Sequence, residues 1–99
     1  MERMFMERAF NELSFSQAER LALLMEECAE VQHAIGKILR HGFNNKYKNG
    51  DSNRRALEIE LGDLLCVIDR LIDEDDINWS NIELDKEIKI KANTYLHHN

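Results

Sequence analysis

Proline is absent from the 99 residues, and glycine occurs only four times. Without these breakers the chain has little to interrupt a helix, so long helices are the expectation. Cysteine occurs twice, at Cys28 and Cys66, with no C-x-x-C pair. That excludes a disulfide framework and a cysteine zinc site; two thiols among apolar neighbours read as core filling in a reducing compartment. No apolar run is long enough to span a bilayer, and 32% of residues are charged, so no membrane role is expected. The opening MERMFMERAF has no continuous apolar core or small-residue cleavage site, and no secretory leader is expected from it. An excess of basic residues is missing too. The formal net charge is -6, which suits a bare nucleic-acid binder poorly because phosphates need clustered Lys and Arg.

What is present is helical periodicity. A short helix is expected from about Glu2 to Glu12, on Met4, Phe5, Ala9 and Phe10. A second begins at a capping box, Ser14 with Gln17 or Ser16 with Glu19. Its apolar stripe runs through Leu21, Leu24, Met25, Cys28, Val31, Ile35, Ile38 and Leu39 and ends at His41-Gly42. Gly36 within it suggests a close helix approach. The polar stretch from Phe43 to Ser52 reads as a linker. A third helix starts near Asp51 to Asn53, carries Leu57, Leu61, Leu64, Leu65, Ile68, Leu71 and Ile72, and stops at the acidic run Asp73 to Asp76, read as a solvated turn. Ser80 with Glu83 marks the start of a last helix, with Leu84, Ile88, Ala92 and Tyr95 on its apolar edge. The expected fold is therefore all-α, a bundle of three to four helices in a single domain over residues 1–99. A core this small gains from association, so an oligomer is expected, a homodimer or homotetramer.

The acids on the two long helices carry the chemistry. Glu26-Glu27-Cys28-Ala29-Glu30 and Glu60-Leu61-Gly62-Asp63 each present carboxylates at i and i+3, on one helix face. With the first stripe centred on Cys28, Glu27 falls roughly 100° away, at the border. With the second centred on Leu64, Glu60 falls only about 40° from the centre, inside the apolar arc. Burying a carboxylate without a partner is costly. Arg20, Lys37, Arg54, Arg55 or Arg70 could each neutralise one of these acids. Four acids converging from two helices suit an oxygen-seeking divalent cation better, Mg²⁺ above all. Glu30 with His33 makes an E-x-x-H, but the second such motif of a di-iron bundle is missing. Cys28 and His33, five residues apart, diverge around the helix and make no nucleophile pair. Trp79 beside a loop reads as a local core plug.

EECAE followed by EIELGD resembles the MazG-like all-α nucleoside triphosphate pyrophosphohydrolases, whose pattern is E-E-x-x-E and then E-x-x-D in an ELGDLL-like helix. The resemblance runs from about Ser16 to Ile72 and, more weakly, to Tyr95. The flanks AEVQHAIGKILRHG and KANTYLHH are similar to small single-domain members of phages and bacteria. It implies hydrolysis of a nucleoside triphosphate, of a deoxynucleoside or non-standard kind, to the monophosphate and pyrophosphate. It implies Mg²⁺, or Mn²⁺ in its place, on Glu27, Glu30, Glu60 and Asp63, with Glu26 orienting or deprotonating the water. Lys37, Arg54 and Arg55, and by similarity Lys89 and Asn93 on the last helix, would handle phosphates. A cytoplasmic location follows, the host cytoplasm for a phage-encoded chain. The competing reading is a non-enzymatic helical interaction module whose acids form a solvated face.

Overall fold

The computed structural model describes residues 11–46 and 50–92. The helix expected over Glu2 to Glu12 lies mostly outside them; Asn11 and Glu12 themselves form a turn with positive φ. Among the described residues there are three helices and no strands: α1, Phe15–His41; α2, Asn53–Asp73; and α3, Trp79–Lys91. The all-α expectation holds.

Each boundary has a local cause. Ser14 closes the capping box: the Gln17 N–H donates to Ser14 Oγ at 3.0 Å, and the Ser14 N–H donates to Gln17 Oε1 at 2.9 Å. At the other end Gly42 takes φ +86°, and its N–H donates to the Ile38 carbonyl at 2.7 Å. Ser52 caps α2, its hydroxyl accepting from the Arg55 N–H at 3.1 Å. The cap of α3 corrects the Ser80 expectation. Asn78 accepts from the Asn81 N–H at 3.2 Å, so the helix starts before Ser80. Asparagine is an equally good cap and stands earlier in the chain.

The hairpin of α1 and α2 is antiparallel, fastened at both ends. At the loop end, Asn53 is buried; its side chain donates to the Gly42 carbonyl at 3.0 Å and its N–H to Asn45 O at 2.9 Å. At the open end, Arg20 grips Asp76 through two bonds, Nε to Oδ2 at 2.6 Å and Nη2 to Oδ1 at 3.0 Å. Asp73, Glu74 and Asp75 are exposed, as a solvated turn requires, but the Asp76 side chain is only 9% exposed and departs from that expectation. The run is a fold-back that delivers one carboxylate to α1. That guanidinium, by its hydrogen bonds first and its charge as well, holds the Asp76 carboxyl below its usual range.

Residues 17, 20, 24, 27, 31, 34 and 38 of α1 are all buried or half-buried, at alternating three- and four-residue steps. Residues 53, 57, 60, 64, 67 and 71 of α2 follow the same rule. This is the seam spacing of packed helices. The fully sequestered part is thin: Ala34, Val67 and Leu71 are the buried apolar residues, Leu71 at 0% exposure. The stripe of α1 is therefore not centred on Cys28. Cys28 and Cys66 are both exposed, against the expectation of core filling. The apolar arc on α1 is wide enough for two columns, and Cys28 belongs to the one that does not meet α2. The second column, Leu21, Met25, Cys28, Ile35 and Leu39, faces outward. Gly36 permits no close approach within the chain, since an added Cβ would meet only the Arg40 side chain at 3.6 Å. Trp79 is exposed rather than a core plug, and α3 packs little on the hairpin.

Candidate metal and nucleotide site

Glu27 and Glu60 both occupy seam positions, where a helix pair normally places apolar residues. The hairpin sets them against each other, and Asp63, one turn on from Glu60, joins them from the exposed edge. One carboxylate oxygen from each of Glu27, Glu60 and Asp63 lies within 4.8 Å of the others. Glu27 and Glu60 are half-buried and Asp63 is exposed. Glu27 Oε2 is buried and has no hydrogen-bond partner. Desolvation raises its pKa above the usual range, and the charges of Asp63, Glu60, Glu30 and Glu26 push it further the same way. The wheels marked Glu60 as the anomalous acid, and it does lie half-buried on the seam. The structure adds Glu27, because the true seam of α1 passes through Glu27 and not through Cys28.

Four of the five candidate counter-ions are engaged elsewhere. Arg20 holds Asp76, Arg55 lies 3.7 Å from Glu58, Arg70 lies 3.9 Å from Glu74, and the Arg54 guanidinium stacks 4.7 Å over the Phe43 ring. The charges acting on Glu27 are all carboxylates. Ionised carboxylates gathered this way repel, and an uncompensated buried oxygen is costly. A divalent cation removes both costs, and an all-oxygen donor set is what Mg²⁺ or Mn²⁺ takes. The residues present fit such an ion.

Glu30 stands outside the close triad. It shares with Glu60 the rim of a cavity of about 330 Å³ between α1 and α2, whose other walls are His33, Ala34, Asp51, Ala56 and Ile59. Glu26 is exposed beside Glu27. Of the residues assigned to phosphate, Lys37 is half-buried on α1 and Lys89 is exposed on α3; neither they nor Arg54 and Arg55 line the cavity. Asn93 lies outside the described residues. Sequence reasoning missed the cavity altogether. The two alanines that open it, Ala34 and Ala56, carry no chemical signal of their own.

A family model, the MazG nucleotide pyrophosphohydrolase domain, matches residues 15–89. The chain belongs to the MazG family. The match takes in all of α1 and α2 and most of α3, so both acidic stretches of the MazG pattern fall inside it. No curated protein and no solved structure gives a significant match. MazG membership ties the fold to nucleotide pyrophosphohydrolase chemistry. No helix among the described residues is long and apolar enough to cross a membrane.

Proposed function

We propose that this MazG domain, a single unit over residues 1–99, hydrolyses a deoxynucleoside or non-standard nucleoside triphosphate to its monophosphate and pyrophosphate, with Mg²⁺ or Mn²⁺ bound by its acids. The observation that carries the reading is the unpartnered, buried Glu27 Oε2 within a triad of carboxylates. Glu27, Glu60 and Asp63 would hold the ion, and Glu30 is the fourth acid of the set. When bound, the ion neutralises the triphosphate and lowers the pKa of water. Glu26 takes the proton of the attacking water as its oxygen adds to the α-phosphorus and the bond to the bridging oxygen breaks. In this proposal Lys37, Arg54, Arg55, Lys89 and Asn93 contact phosphate oxygens, so removing their charge or amide raises KM more than it lowers kcat.

The chain works as a homodimer or homotetramer in this reading. The support is the outward column of α1, where Met25 is 74% and Leu39 81% exposed, together with exposed Leu61 and Leu65 on α2 and Leu84, Ile88 and Ile90 on α3. Such a surface also suits an interaction module, but that alternative leaves the buried, unpartnered Glu27 Oε2 unexplained. The deciding experiment measures pyrophosphate release from a panel of nucleotides with and without Mg²⁺. Release that needs the metal is expected; no release from any nucleotide removes the enzyme reading. Thermal melting adds a check independent of turnover, since an ion bound by the folded state raises Tm.

A further inference from the structure

The cavity between the helices has a mixed lining. Glu30, Glu60, Asp51 and His33 are its polar groups, and Glu60 belongs to the carboxylate triad as well. Ala34, Ala56 and Ile59 are its apolar walls. The volume, about 330 Å³, lies at the lower end of small-molecule sites, and apolar walls with a few fixed polar groups are their usual makeup. Space exists there because α1 and α2 each place an alanine in the wall. A nucleotide whose phosphates met the triad through a cation would bring its base and sugar to the cavity that Glu60 also lines.

We infer that this cavity seats the nucleobase, and that Asp51 with His33 selects a base bearing an exocyclic amino group over one bearing only oxo groups at that edge. An ionised carboxylate accepts hydrogen bonds and donates none, so Asp51 pairs with an amino group and repels a carbonyl oxygen. It offers about four acceptor positions, enough to serve another group in the protein and a base together. His33 carries one donor and one acceptor in its neutral form, so it complements either neighbour on a base edge. The alanines set the depth. A leucine at Ala56 would fill the space that the base needs.

This inference rests on the hydrolase reading, and the two are tested apart. Isotope-labelled protein with saturating Mg²⁺ is titrated with dCMP and with dTMP, following backbone amide shifts. Shifts confined to the walls around Ala34, Ala56 and Ile59 are expected, with dCMP binding roughly tenfold tighter than dTMP, the scale of one charge-assisted hydrogen bond. Asp51→Asn, nearly isosteric, should abolish that preference, and Ala56→Leu should weaken both nucleotides, each with helical content unchanged by circular dichroism. The inference is overturned by shifts that fall elsewhere, by the absence of binding, or by a preference that survives Asp51→Asn. Pyrophosphate release from dCTP and dTTP separates the readings. Turnover whose dCTP-to-dTTP ratio is unmoved by Asp51→Asn overturns the base pocket and leaves the hydrolase. Binding in the cavity without turnover supports the pocket and overturns the hydrolase.

Discussion

The two faces of α1 use one sequence pattern for different ends. Both run at three- and four-residue steps, one residue out of phase, the outer one passing through the polar Gln32. The inner column, Leu24, Glu27, Val31, Ala34 and Ile38, meets α2 and carries a carboxylate in its middle. The outer column, Leu21, Met25, Cys28, Ile35 and Leu39, is the more apolar of the two by composition and remains exposed. Hydrophobicity alone would bury the outer column and turn Glu27 to water. The inner one is nonetheless the column that meets α2, and Glu27 goes with it. Among the described residues the buried apolar side chains number three, Ala34, Val67 and Leu71.

The sharpest way to break this comparison is to neutralise the charged member of the inner column. Glu27→Gln, and likewise Glu60→Gln, should lower pyrophosphate release by roughly two orders of magnitude or more while leaving helical content intact. The metal-free variants should melt no lower than the parent, since repulsion is relieved. A Glu27→Gln protein that unfolds would make Glu27 a structural group instead.

Truncating each column separates packing from association. Leu71→Ala, against the inner seam, should cost about 2–5 kcal/mol in denaturant unfolding. Leu39→Ala on the outer column should change monomer stability by no more than about 0.5 kcal/mol. Leu39→Glu should instead reduce the assembly size measured by light scattering. An unchanged size would remove the outer column from any interface.

Two carboxyls respond to pH with opposite sign. Glu27 has its pKa raised by folding, so its ionised form opposes the fold; that penalty is absent below the unfolded value and complete above the raised one. Asp76 has its pKa lowered, so its contribution is full above the unfolded value and is lost as pH falls through the lowered one. Metal-free protein should therefore gain stability as acidification protonates Glu27, then lose it as Asp76 protonates. Thermal melts across the acid range check this. Glu27→Gln should flatten the first limb and Asp76→Asn the second. Smallest of the effects, Gly62→Ala on the open side of α2, where an added Cβ meets nothing within 4 Å, should stabilise by about 0.5–1 kcal/mol. A fall in assembly size instead would place Gly62 against a second copy.

Much of the helical layout was legible because its causes are local. Ser14 with Gln17, Gly42 and the Ser52–Asn53 region are boundary signals within four residues of what they control. The E-E-x-x-E and E-x-x-D spacings were legible for the same reason, since a helix fixes what lies one turn away. The errors have other causes. Cys28 as stripe centre and Asp76 as solvated each depended on which of two locally acceptable choices a distant element would favour, whereas Ser80 as a cap lost to the equally good Asn78 two residues earlier. Nothing near Asp76 announces Arg20, 56 positions earlier.

The sequence by itself determined the all-α class, the long helices and the set of acids, because helix propensity, capping and one-turn spacing act over a few residues. Only the tertiary structure decided which column of α1 turns inward, and with it that Glu27 is the sequestered acid. It also decided that Arg20 is spent on Asp76 and that two alanines leave a cavity beside Glu30 and Glu60. Those outcomes depend on the rotation of each helix about its axis, which is set by packing against a neighbour and not by any property of the helix alone.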